Sequence, residues 1–147
     1  MKLRTSIAVT AAAALIGAGA FMLPAAASAG TPTHTLKFTS LTKTQIMFSL
    51  TSGALQDTDV NSKGATIGFD VLYFAYVSGA TAPVNLTVDV AGGFIYGTGQ
   101  VNITTMAFTD GKVTGGTGAF KSATGTITEK NLNKAGTKTA VTITYRT

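Results

Sequence analysis

The sequence predicts an all-β fold, an antiparallel sandwich or barrel, on three observations. Beyond the first thirty residues it is rich in Thr, Val, Ile, Phe and Tyr and poor in the Leu, Glu, Lys and Arg combinations that make exposed helices. Turn signals recur every roughly 8 to 15 residues, the rhythm of a sandwich or barrel. The chain has no cysteine, so its stability must come from burial and a hydrogen-bonded sheet, which favours a closed architecture over a loop-rich, disulfide-stapled one.

Residues 1–29 read as a secretory signal peptide. Lys2 and Arg4 precede an alanine-rich apolar run, and Ala27-Ser28-Ala29 forms a small-x-small cleavage site. A retained membrane anchor needs roughly 20 uninterrupted apolar residues, and Gly17, Gly19 and Pro24 interrupt this run. Cleavage after Ala29 leaves residues 30–147 as one domain of a secreted protein. Removing Lys2 and Arg4 lowers the net charge from +5 by two, to +3. The remaining lysines are scattered, which suits solubility and provides no nucleic-acid footprint. No membrane association is expected of the processed chain.

The strands follow in order. "LKFTS" and "TQIMFSL" come first, ended by "TSG" at 51–53. "TIGFDVLYFAYV" lies between "NSKG" at 61–64 and "SGATAP" at 78–83. "VNLTVDV" is the clearest, with Val84, Leu86, Val88 and Val90 alternating with Asn85, Thr87 and Asp89. After "AGG" at 91–93 come "GGFIYG" and "QVNITTMAF", then a turn at "TDGK", 109–112. "SATGTITEK" and, past "KAG" at 134–136, "AVTITYR" complete the set.

The strand at 67–77 is apolar on both faces. Ile67, Phe69, Val71, Tyr73 and Val77 lie on one, Leu72, Phe74 and Tyr76 on the other. Both faces should be covered, one by the interior and the other by a loop, a terminus or a second subunit, with self-association preferred.

"GKVTGGTGAFKSATG" at 111–125 raises the question of a phosphate cradle. A P-loop needs G-x-x-x-x-G-K-[ST] before a helix, and a dinucleotide fingerprint needs a third glycine where Lys121 stands. Neither is present, so no nucleotide cofactor is expected. Gly115, Gly116 and Gly118 instead permit positive φ or close backbone approach where a strand turns a corner.

Through Val113, Thr114, Gly115, Gly116, Thr117, Gly118, Phe120, Ala123 and Gly125, this segment resembles the V-T-G-G-[ST]-G-x-[FY]-x-x-A-x-G stretch of the allene oxide cyclase and dirigent barrel superfamily. "LQDTDVNSKGATIGFDVLYF" and "TKTAVTITYR" resemble its second-strand region and closing strand more weakly. The resemblance implies an antiparallel eight-stranded β-barrel with an apolar cavity, assembled as a homodimer or homotrimer. It also implies one of two activities: cyclisation or isomerisation of a hydrophobic small molecule, or dirigent-like steering without catalysis. Such chemistry relies on holding one conformer out of water.

Asp70 is the candidate catalytic residue. A carboxylate in a doubly apolar strand either faces a polar cavity or bears a desolvation penalty that raises its pKa. The structural alternative pairs it with a lysine or a backbone N–H. In the resemblance it stands near a cysteine position of the plant cyclases, two residues after Gly68. The glutamate of their first strand has no counterpart in "HTLKFTSLTK".

If Asp70 points inward, period two places Leu72, Phe74 and Tyr76 beside it as ligand-binding wall, with Tyr96 and Phe120 as additions. A cavity of roughly 300 Å³ or more is then expected. Asp57 and Asp59 in "LQDTDV" alternate as in a cation loop but lack its further ligands, and read as polar loop. No metal is expected. Asp89 and Glu129 read as solvated. His34, the sole histidine, lies near the processed terminus, a poor place for a Ser-His-Asp triad. A secreted interaction protein with a filled barrel remains the third reading.

Overall fold

The computed structural model describes residues 31–75 and 79–147; residues 1–29, expected to be a signal peptide, and Tyr76 lie outside the described residues. Eight strands form one closed barrel in sequence order: β1 (His34–Met47), β2 (Ser52–Val60), β3 (Thr66–Ala75), β4 (Thr81–Val90), β5 (Gly93–Asn102), β6 (Phe108–Gly116), β7 (Thr124–Asn131) and β8 (Lys138–Arg146). Every neighbouring pair is antiparallel. Closure is made by β1 on β8, from His34 opposite Tyr145 to Leu41 opposite Lys138. A closed sheet has no edge to protect, and eight strands leave an interior just wide enough for side chains or one small ligand.

Period two decides what faces inward. On β4, Ala82, Val84, Leu86, Val88 and Val90 are buried, while Thr81, Pro83 and Asn85 are exposed. β8 repeats the pattern with Val141 and Ile143. Pro83, which has no N–H to give a ladder, stands near the start of β4, just before the pairing with β3 begins at Val84.

The glycine stretch is the end of β6 and the plug that follows. Gly115 has φ +144° and Gly118 φ +55°, both in the region that favours glycine. A Cβ on Gly118 would collide with the Gly92 carbonyl oxygen. This close approach lets a single 3-10 turn, Gly118–Phe120, fold across the end of the barrel. Ala119 N–H donates to the Gly92 carbonyl at 2.9 Å. Phe120 is thereby buried, edge-on to Tyr145 at 5.5 Å between ring centroids.

Several elements differ from the sequence reading. "LQDTDV" is not loop but the body of β2, paired with β1 and β3 along its length. "QVNITTMAF" is not one strand: β5 ends at Asn102, a turn intervenes, and β6 starts at Phe108. "TDGK" is not a turn between strands but lies within β6, where Asp110 takes φ +55°. The terminus at His34 is tied down, since His34 stacks on Tyr145 at 5.3 Å and Arg146 Nε donates to Thr33 Oγ1 at 3.0 Å.

Within one chain, the outer face of β3 is partly open. Phe69 and Tyr73 are 40% and 41% exposed. Phe48, from the turn after β1, stacks on Tyr73 at 5.8 Å and supplies the one ring contact Tyr73 makes among the described residues.

Candidate functional site

Asp70 points into the barrel and is 4% exposed. Register explains its company. It sits directly opposite Asp57 on β2 and Val88 on β4. Two carboxylates face to face on adjacent strands repel one another. The Ser40 hydroxyl on β1 lies between them, donating to Asp57 Oδ2 at 2.7 Å and to Asp70 Oδ2 at 3.0 Å. A serine carries one hydroxyl proton, so it donates to one acid at a time. Both contacts hold at once only when one carboxyl is protonated and donates back to Ser40 Oγ.

Two further acids turn inward. Asp59 on β2 is 0% exposed and receives no hydrogen bond from a backbone, hydroxyl or amide donor; its side-chain partner is the Asp70 carboxyl, with which it shares a proton. Burial, then the charge of Asp70, pushes its pKa from the ordinary 3.8 up to about 9. Glu129 on β7 lies two residues from the buried Ile127 and shares its inward face. Burial, then Asp70 and Asp57, raises it from 4.5 to about 8. Asp70 itself rises to about 6, through burial first and Asp57 second, partly offset by hydrogen bonds from Asp59 and then the Ser40 hydroxyl.

Ser40, Asp57, Asp70 and Glu129, but not Asp59, open onto a cavity of about 190 Å³ inside the barrel. Its polar wall includes Ser40, Asp57, Asp70 and Glu129; its apolar wall includes Leu55, Leu72, Phe74 and Val141. The turns at 103–106 and 132–137 flank its entrance through Met106 and Gly136. Asn131 anchors that rim, its Nδ2 donating to the Met106 carbonyl at 2.9 Å. The volume falls short of the 300 Å³ expected. A cavity of about 150 Å³ holds benzene, so this one suits a molecule built on a single ring.

The structure brings together Asp70, Leu72 and Phe74, as alternation predicts. It does not bring in Tyr96, which lies on the outer face and is 40% exposed. Nor does Phe120 line the cavity: it plugs the opposite end of the barrel. Tyr76 is outside the described residues.

The sequence reading missed Ser40, Asp57, Asp59 and Glu129. Leu55, Asp57 and Asp59 alternate with Ala54, Gln56 and Thr58, and this period-two signal would have placed both acids on one face of a strand. Glu129, two residues after Ile127, carries the same signal. Asp89, also expected to be solvated, is on the outer side of β4 and partly exposed.

Four carboxyls invite the thought of a metal, but no group of three or more His, Cys, Asp or Glu among the described residues is arranged to hold one. No family model matches the chain, and no curated protein matches it.

Proposed function

We propose that this protein is a secreted barrel that takes an apolar, ring-sized molecule into its lumen and moves a proton on it, an isomerisation or cyclisation. One observation carries the reading: one cavity inside the barrel combines apolar walls with two acids of unequal proton affinity, Asp70 near 6 and Glu129 near 8. Paired groups whose surroundings separate their pKa values are the signature of an acid and a base. At neutral pH Asp70 is mostly ionised and accepts a C–H proton, while Glu129 is mostly protonated and delivers one elsewhere on the same conjugated system. A bond to hydrogen breaks and another forms, with no change of oxidation state. Leu72 and Phe74 hold the carbon skeleton away from water. The resemblance of residues 113–125 to the allene oxide cyclase and dirigent segment adds to this reading, as does the export signal for secretion. The open aromatic face at Phe69 and Tyr73 favours a homodimer or homotrimer.

The test is incubation with monocyclic unsaturated compounds in D₂O, with binding followed by calorimetry and exchange by NMR. Ligands that bind and incorporate deuterium, with exchange lost in Asp70→Asn at affinity within a few fold, bear the reading out. Saturable binding without exchange or product makes the barrel a non-catalytic carrier. No binding at all makes it a filled structural barrel.

A further inference from the structure

The lumen is one-sided in its hydrogen-bonding chemistry. Asp57, Asp59, Asp70 and Glu129 all turn inward, while Lys37, Lys43, Lys112, Lys130 and Lys138 on the surrounding strands are exposed. Among the described residues, no lysine, arginine or histidine lines the cavity. The amide donors on its wall are engaged elsewhere, Asn131 Nδ2 with the Met106 carbonyl and Gln45 Nε2 with the Met47 sulfur, so the wall carboxyls Asp57, Asp70 and Glu129 meet no charged donor there. Ser40 serves Asp57 and Asp70 with one proton between them. Asp57 Oδ1 has no partner within the described residues, while the fully buried Asp59, which does not line the cavity, shares a hydrogen bond with the Asp70 carboxyl. Buried acceptors without donors are costly, and native folds rarely keep them unless something else supplies the donor.

Resting on the reading of the lumen as a ligand site, we propose that its ligand carries a protonated nitrogen on an apolar ring: the cavity is a receptor for a small aryl or alicyclic ammonium. An ammonium brings three N–H donors and a positive charge to a wall of acceptors. A hydroxyl brings a single donor, and a carboxylate ligand adds repulsion. A divalent cation would need converging ligands, which this arrangement does not offer. Leu72 and Phe74 take the ring, and the ammonium reaches Asp57, Asp70 and Glu129.

The pH dependence has a diagnostic sign. A cation favours the ionised carboxyls, so its binding displaces protons and tightens as pH rises through the values of Asp70 and Glu129, about 6 and about 8. Asp59, buried behind them and raised to about 9, adds to the same trend. A neutral ligand excludes water from the acids and favours their protonated forms, so it binds more weakly as pH rises.

The experiment is calorimetric titration of the processed protein with benzylamine, benzyl alcohol, toluene and benzoate, between about pH 5 and about pH 8. Benzylamine should bind about tenfold or more tighter than benzyl alcohol at the upper pH, tighten with pH and release protons, while benzoate does not bind. Asp70→Asn should reduce the preference for amine over alcohol. Benzyl alcohol or toluene binding as well as benzylamine, or benzylamine weakening with pH, overturns the ammonium preference and leaves the lumen site standing. Failure of all four to bind overturns the lumen site, and the preference with it. The wild-type comparison decides the matter even if Asp70→Asn does not fold.

Discussion

The two ends of this barrel are made from the same strands and packed by opposite rules. β5 begins at Gly93 beside the plug and ends at Asn102 beside the cavity entrance. Around the plug, Ile95, Val113, Phe120, Ala123, Ile127 and Ile143 are all 6% exposed or less, and none reaches the cavity. At the other end Ser40, Asp57, Asp70 and Glu129 face one another across an unfilled space. The plugged end carries stability, since each large apolar side chain buried there contributes about 1.5–3 kcal/mol. The acid end draws on it, because buried carboxyls with too few donors oppose folding when ionised. A closed, disulfide-free sheet tolerates the second because the first is so well packed, and this is the usual relation between scaffold and site.

Substitutions at the plug should have the largest effect. Phe120→Ala removes a buried ring from an end closed by backbone contacts that relax little, and should lower unfolding free energy by about 3–5 kcal/mol in denaturant titration. A loss below about 1 kcal/mol would show that the plug packs loosely and would dissolve the contrast between the ends.

Next in size is the response to pH, which only the acid end should produce. In the unfolded chain the acids titrate near 3.8 and 4.5; in the fold Asp70, Glu129 and Asp59 titrate at about 6, 8 and 9. Within that interval the unfolded state holds fewer protons, so stability falls as pH rises. The contribution is fully present below about pH 4 and lost progressively by about pH 9. Thermal melts should therefore give a higher Tm near about pH 5 than near about pH 8. The opposite slope would mean the carboxyls are stabilised as anions, by donors or a cation.

Asp59→Asn sharpens the same point with a smaller effect. It keeps the volume, removes the ionisation, and should raise stability at alkaline pH while leaving it almost unchanged near about pH 4. The pH slope above about pH 7 should flatten accordingly. A variant less stable than the parent at alkaline pH would show that the Asp59 anion has a partner.

This division also explains what could be read from the sequence. β4 and β8 were legible because hydrophobic burial imposes strict alternation on them. So was the inward face of β3, where Asp70, Leu72 and Phe74 fall together. β2 was illegible because its inward positions include Asp57 and Asp59, so the polarity that usually marks a loop lay in the interior. Glu129 was hidden the same way. Tyr96 and Phe120 show a different limit: their chemistry suits a pocket, but facing on a glycine-broken strand and placement after a chain reversal depend on register and close backbone approach. Site-building strands violate the pattern by which strands are recognised, and that is why the scaffold was more readable than the site.

The smallest effect, and the one most specific to the acid end, belongs to Ser40. Its hydroxyl is shared by Asp57 and Asp70, and together with the Asp59 hydrogen bond it holds the Asp70 value down against burial and the Asp57 charge. Ser40→Ala should cost about 1–2 kcal/mol at neutral pH, from lost donation to buried acceptors. It should also move the Asp70 titration upward from about 6, because the anion loses its donor while the opposing charge remains. Carboxyl-detected NMR titration reads that shift directly. The extra destabilisation should fade toward about pH 4, where Asp70 is protonated and its anion no longer calls for a donor. A Ser40→Ala variant with an unchanged Asp70 titration would separate the two carboxyls and leave their facing register without electrostatic consequence.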